Sequence, residues 1–228
     1  MNNLEKINKS DNLQITCAVI PFYNEENTIR KTVIEVLKYA DFVIAVNDGS
    51  TDSSLRNIED IKNIIIINLD KNLGKGIALK FGFKESIKLN TKYTFTIDAD
   101  LQHDPTCIPK FLNEIINYDI IIGNRLHYIK DMPIQRRASN LLTSYLLTKK
   151  LKTNIKDSQC GYRVFRTDIL NSILPKSSGF EAESEMLLYA CRKKYRIGFV
   201  DIPVIYGNDN SKMKSLQAIK GFLKIMNM

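Results

Sequence analysis

The chain has 228 residues, with 33 Lys and Arg against 25 Asp and Glu, for a formal charge of +8. Hydrophobic residues at 44% and charged residues at 25% exclude a disordered tail, and 10 Gly with 6 Pro exclude collagen-like and low-complexity chains. This length suits a single α/β domain, and the surplus charge invites an anionic partner without choosing among nucleic acid, anionic lipid and a phosphorylated small molecule.

Residues 1–13 form a polar segment with no hydrophobic signal core. The longest uncharged apolar runs, Ile64 to Ile67 and Ala18 to Ile20, fall far short of the roughly 20 residues a spanning helix needs. A cytoplasmic protein is expected. Gln14 to Phe22 reads as a buried strand ended by Pro21. Asn24 is placed to cap the next helix, with Glu25 and Glu26 in its first turn. Further strands are predicted at Phe42 to Val46, Ile64 to Asn68, Tyr93 to Ile97, Asp119 to Ile122, Tyr162 to Phe165 and Ile197 to Ile205. Helices are predicted at Asp52 to Ile58, Gly74 to Leu89, Ile108 to Asn117, Arg136 to Leu151 and Glu181 to Lys193. This alternation argues for a mostly parallel sheet with helices on both faces. In such sheets ligands bind beyond the carboxyl ends of the strands. Glu25, Asp48, and Asp98 with Asp100 all fall at such ends.

Asp98-Ala99-Asp100 directly follows an apolar strand. Two carboxylates with one spacer suit a hard divalent cation, Mg2+ or Mn2+, that keeps its other ligands from a diphosphate. Gln102 would add a carbonyl oxygen. His103 reads as part of the turn before Pro105, and His127 has no neighbours that suggest catalysis. Cys17, Cys107, Cys160 and Cys191 lack the paired spacing of a zinc site and read as buried free thiols. Gly74-Lys75-Gly76 lacks the spacing of a Walker loop, and no G-x-G-x-x-G follows the first strand, against a dinucleotide dehydrogenase. Zinc-finger spacing and RNA-binding aromatic motifs are missing as well, so no nucleic-acid partner is expected.

Val19 to Glu26, Asn47 to Asp52, Asn72 to Gly76 and Asp98 to Pro105 resemble family 2 glycosyltransferases. Within that family the polyprenyl-phosphate sugar transferases, such as dolichyl-phosphate mannosyltransferases, are the most similar group. Gly123-Asn124-Arg125, Asp157 to Arg163 and Asn210-Ser211-Lys212 extend the similarity over roughly residues 14 to 214. The resemblance implies a GT-A fold, a nucleotide-diphosphate sugar, a divalent metal and inverting transfer by direct displacement. Pro21, Tyr23, Glu25, Val46 and Asp48 would line the nucleotide pocket, and Lys75 would touch the nucleotide. Asp98, Ala99, Asp100 and Gln102 would hold metal and diphosphate. Arg125 and Lys212 would reach the phosphates. Asn47 stands where many members have Asp, and no Arg occurs from Pro203 to Lys212. The second departure moves the expected donor from GDP-mannose toward UDP-glucose.

A lipid phosphate acceptor, dolichyl or undecaprenyl, is already ionised and needs no strong base. Arg136 and Arg137 would grip it. If the acceptor is instead a sugar hydroxyl, a carboxylate must take its proton; Asp157 is the candidate, with Glu183 and Glu185 as others. A non-catalytic basic binding module is the rival from a different class. Residues 14–212 are read as the GT-A domain and 213–228 as an amphipathic helix, with Leu216, Ile219, Phe222, Leu223 and Met226 on one face. That face would lie on the inner surface of the membrane or pack on protein, and homo-oligomerisation is left open.

Overall fold

In the computed structural model, residues 15–127, 132, 134–205 and 215–228 are described. Seven strands form one sheet: β1 (Thr16–Phe22), β2 (Phe42–Asn47), β3 (Ile64–Asn68), β4 (Tyr93–Thr96), β5 (Ile120–Asn124), β6 (Arg163–Arg166) and β7 (Ile197–Asp201). Their order is β3-β2-β1-β4-β6-β5-β7. β1 is parallel to β2 and β4, β2 to β3, and β5 to β7; β6 alone runs antiparallel to its neighbours β4 and β5. The expected mostly parallel sheet is therefore observed, with one reversed strand that periodicity does not reveal.

The helices are α1 (Ile29–Val36), α2 (Lys75–Lys88), α3 (Ile108–Glu114), α4 (Ile134–Leu151), α5 (Thr167–Ile173), α6 (Ala182–Arg192) and α7 (Ser215–Asn227). The chain steps from β1 to β2 in one direction and returns from β3 to β4 in the other. Right-handed crossovers then place α1 and α2 on opposite faces, and the two faces of β1 lose all water. With both faces of the sheet covered, charged side chains collect at strand ends, while β4 buries only hydroxyls such as Thr94 and Thr96. The order 3-2-1-4 reverses between β1 and β4, opening a crevice at their carboxyl ends.

Three local expectations change. Asn24 does not cap α1: it has φ of 52°, and its Oδ1 accepts the Thr51 N–H at 2.8 Å. Glu25 and Glu26 precede the helix, which starts after Thr28. Contacts to the 50–54 turn compete with the local cap and win. Asp52 to Ile58 supplies only a 3-10 turn at Arg56–Ile58. The apolar face of α7 is split. Ile225 is fully buried, Phe222 and Met226 pack on the core, and Ile219 and Leu223 are exposed. The helix is held by Lys150 Nζ to the Met226 carbonyl at 2.7 Å and by Lys224 Nζ to Ser177 Oγ at 3.3 Å. All four cysteines are free; Cys191 is only half-buried and the other three are buried, as read.

α2 presses against β1 through Gly82, where an added Cβ would lie 2.2 Å from Cγ1 of the fully buried Val19. Gly to Ala inside a helix ordinarily stabilises by about 1 kcal/mol. At this contact the sign reverses, because the overpacked core costs about 1–3 kcal/mol. Gly82→Ala should lower the urea midpoint; a midpoint at or above the parent's would contradict this close approach.

Candidate active site at the carboxyl edge of the sheet

The carboxyl ends of β1, β2, β4, β5 and β7 and the amino end of β6 share one edge. Tyr23 and Glu25 follow β1, Asp48 follows β2, Asp98 to Gln102 follow β4, Arg125 follows β5, and Asp157 to Tyr162 precede β6. Residues far apart in sequence therefore meet around one crevice. A separate cavity of about 440 Å³, lined by Thr91, Tyr93, Ile116, Arg166 and Asn171 among others, includes none of these residues.

Asp48 is nearly fully buried, and its carboxylate accepts the N–H groups of Leu73 (2.7 Å) and Gly74 (2.9 Å). Burial raises its pKa, against the lowering effect of those two bonds. Asp48 thus shapes the turn that starts α2. Gly74 in that turn has φ of 97°, and a Cβ there would meet the Ser178 carbonyl at 2.4 Å. Only glycine fits without strain. Pro21 and Val46 are buried in β1 and β2, while Tyr23 is exposed. The Glu25 N–H donates to Ser54 Oγ at 2.7 Å, and Glu25 Oε2 accepts from Thr28 Oγ1 at 3.0 Å.

Lys75, the first residue of α2, reaches into the crevice. Its Nζ lies 2.6 Å from Asp98 Oδ1 and 3.1 Å from Glu183 Oε1. Burial disfavours its charge, but the two carboxylates outweigh that and raise its pKa. Burial likewise opposes a charge on Asp98, and Lys75 holds that carboxyl well below its usual range. Asp100 behaves oppositely: burial first, and the charge of Asp98 second, push it up to about 6. Its Oδ1 accepts the Gln102 N–H at 3.1 Å, and Leu101 between them has φ of 62°. A left-handed leucine costs roughly 1–2 kcal/mol. Ala99 is buried, and its carbonyl accepts from Thr32 Oγ1 at 3.1 Å.

His103 is buried, and its Nδ1 accepts the Asp98 N–H at 3.1 Å. Its ring stacks on Tyr162 with centroids 5.2 Å apart, and Tyr162 stacks on Phe111 at 4.5 Å. Burial lowers its pKa to about 4, so it stays neutral at pH 7. It shapes the turn, as the sequence suggests.

Asp157 is fully buried and grips Arg125: Nε to Oδ2 is 2.9 Å, Nη2 to Oδ1 is 3.1 Å, and the Arg125 N–H meets Oδ2 at 3.2 Å. The Gln159 N–H adds a further bond at 3.1 Å. So enclosed, Asp157 holds Arg125 in place, both of its oxygens occupied by hydrogen bonds. Arg163, not singled out by sequence, is also buried. It donates to the carbonyls of Cys160 (2.8 Å), Glu183 (2.8 Å) and Ser158 (3.0 Å). These bonds tie the 157–162 loop to α6. Arg136 and Arg137 sit in the first turn of α4, half-buried and exposed respectively. Lys212 lies outside the described residues.

Asp98 and Asp100 suit a hard cation by chemistry: two half-buried carboxylates at one strand end, with burial first and the Asp98 charge second raising the pKa of Asp100. Among the described residues no group of three His, Cys, Asp or Glu side chains comes together to hold a metal ion. Such a cation would draw its remaining ligands from a substrate or water.

The sequence profile described as Glycosyl transferase family 2 matches residues 17–174. The chain is 29% identical over 228 residues to a UDP-N-acetylglucosamine–dolichyl-phosphate N-acetylglucosaminyltransferase of Methanococcus voltae, with 90% of each chain covered. It is 29% identical over 185 residues to an undecaprenyl-phosphate 4-deoxy-4-formamido-L-arabinose transferase of Proteus mirabilis, covering 76% of this chain and 54% of that one. Glucosyl-3-phosphoglycerate synthase from Mycobacterium tuberculosis, solved with Mn2+, UDP-glucose and phosphoglyceric acid, matches with a TM-score of 0.74 at 18% identity, covering 99% of this chain and 83% of that one. At that identity the likeness is one of fold.

The raised Asp100 carboxyl implies a pH-dependent cost. The folded state holds the proton up to about 6, whereas an unfolded Asp releases it near 3.9. Stability therefore falls as pH rises through that window and stays lower above it. After discounting for partial exposure the cost is roughly 1–3 kcal/mol. Asp100→Asn should stabilise the metal-free protein at pH 7.5 and flatten its thermal midpoint between pH 4 and 7. An unchanged profile would place Asp100 in a solvated setting.

Proposed function

Because the chain belongs to glycosyl transferase family 2 and is a glycosyltransferase with the GT-A fold, we propose that it transfers a sugar from a UDP-sugar to a polyprenyl phosphate, assisted by Mg2+ or Mn2+. The observation that carries this reading is the meeting of Asp98 and Asp100 with Arg125 on one edge of the sheet. The M. voltae relative is named for a UDP-sugar donor and a dolichyl-phosphate acceptor. The P. mirabilis relative is named for undecaprenyl phosphate. Membership in an enzyme family sets aside the non-catalytic binding module.

Asp98 and Asp100 would hold the cation, with Gln102 beside them. The cation would neutralise charge on the departing nucleoside diphosphate. Tyr23, Glu25 and the turn shaped by Asp48 would receive the nucleoside. Arg125, its guanidinium oriented by Asp157, would meet phosphate oxygens from the β5 side. A lipid phosphate arrives already ionised, so displacement at the sugar carbon with inversion requires positioning more than proton transfer. The enclosure of Asp157 counts against it as the base that a hydroxyl acceptor would need. Arg136, Arg137 and Lys212 remain the proposed grips for acceptor and donor phosphates.

Among the described residues no helix is long and apolar enough to cross a membrane. α4 exposes Ile134, Leu141, Leu142 and Tyr145, and α7 exposes Ile219 and Leu223. These apolar side chains, with Lys149 at 5.6 Å from the Tyr145 ring centroid, support a peripheral approach to the cytoplasmic face of a membrane that holds the acceptor.

Incubation with undecaprenyl phosphate, Mn2+ and labelled UDP-N-acetylglucosamine, UDP-glucose or GDP-mannose should move label into the lipid phase from a UDP-sugar. Asp100→Ala should reduce that transfer on the order of 10^3-fold while the protein still melts cooperatively. Full turnover by Asp100→Ala in EDTA would sink the mechanism. In a liposome flotation assay, Leu142→Glu with Tyr145→Glu should weaken association with anionic vesicles by about tenfold or more. Equal flotation would remove α4 from the membrane contact.

A further inference from the structure

Three separate elements converge on one ammonium. Lys75 comes from the first turn of α2, Asp98 from the end of β4 and Glu183 from the first turn of α6. Side-chain exposures of 13% for Lys75 and 9% for Glu183 leave little room for water between them. Phe180 lies over the ammonium with its ring centroid 5.6 Å from Nζ. The backbone of Gly161 closes the other side, where a Cβ would stand 2.7 Å from Asp98 Oδ2 and 3.0 Å from Lys75 Nζ. The cluster is thus mostly enclosed, with Asp98, at 29% exposed, the part most open to water.

This geometry sets a conflict at Asp98. A divalent ion ligated by Oδ1 would sit about 2.0–2.6 Å from it, against an ammonium at 2.6 Å from that same oxygen. Two cations on one partly buried carboxylate repel each other, so the ammonium weakens metal binding at that oxygen. Glu183 is the second anion within reach of Nζ, and a donor diphosphate at the carboxyl edge would be a third.

We propose that Lys75 is a built-in counter-ion that makes metal binding depend on the donor. The ammonium occupies Asp98 until a nucleoside diphosphate offers it a new anionic partner. It then turns from Asp98 toward Glu183 and the phosphates, and the divalent ion takes its place. Metal and donor enter together, and a metal ion alone binds weakly. Lys75 acts as a positioning residue at the donor site, and the inference rests on the metal-assisted UDP-sugar reading above. By thermodynamic reciprocity, UDP strengthens Mn2+ binding by the same factor as Mn2+ strengthens UDP binding.

The test measures Mn2+ binding by electron paramagnetic resonance of the free ion, with and without UDP, on the full chain. No turnover is involved. Lys75→Gln should bind Mn2+ alone at least about tenfold more tightly than the parent, and the enhancement brought by UDP should shrink by at least about tenfold. Lys75→Arg retains the charge and should keep the parent's weak binding of Mn2+ alone. If Lys75→Gln does not melt cooperatively, Lys75→Met replaces it, its thioether stem filling the place of the lysine chain under Phe180. Mn2+ affinity and UDP enhancement within about twofold of the parent in the neutral variant would overturn the proposal. Tight Mn2+ binding by Lys75→Arg would do the same. A parent protein that binds UDP in no condition would overturn the donor reading itself, so the two failures are told apart.

Discussion

Strands β1, β2, β4 and β5 are buried along their whole lengths, so the sheet can carry charge only where its strands end. The rest of the site follows from that constraint. Parallel pairing sends the carboxyl ends of β1, β2, β4 and β5 to one edge, and the reversal between β1 and β4 opens a crevice there. Carboxylates, arginine and lysine gather at this edge because the covered faces of the sheet cannot solvate them. The charged edge is thus a consequence of how the core excludes water.

Each charge drawn to the edge is then satisfied in a different way. Arg163 is surrounded by three backbone carbonyls, so its cost is met by donors in a fixed fork. Asp157 fills its oxygens with Arg125 and two backbone N–H groups. Asp48 does the same with the turn at Leu73 and Gly74. These three are settled groups, and their work is to hold other groups still. Asp100 is the exception. Its oxygen meets one backbone N–H, its proton is retained up to about 6, and the next residue is a left-handed leucine. Strain and unbalanced charge collect at the residue proposed to meet the cation.

Much of the site was legible from strand ends and turn residues. An apolar strand running into Asp98-Ala99-Asp100 marks a buried element meeting solvent, and the Asn72 to Gly76 turn opens α2 where its glycines require. What local pattern cannot report is the partner a polar side chain will choose. Asn24 has the composition of a helix cap, yet Ser50 and Thr51 in another loop hold it. Nor does local pattern show that the fold brings Arg125 beside Asp157. The apolar face of α7 was predicted from its periodicity, but docking near Glu181, which approaches Gly221 closely, buries Ile225 and leaves Ile219 and Leu223 outside.

By itself the sequence determined the alternation of strands and helices, the strand-end placement of the acidic motifs and the family to which they belong. The elements and motif placement are set by period, turn chemistry and residue type, which act over a few residues, and the family by the resemblance of several motifs in order. Only the tertiary structure decided that β6 runs backwards, that Arg125 belongs to Asp157, that Arg163 pins the loop to α6 and that Lys75 stands between Asp98 and Glu183. Charge pairing depends on distance and on the exclusion of water, and both exist only once the sheet has closed its faces.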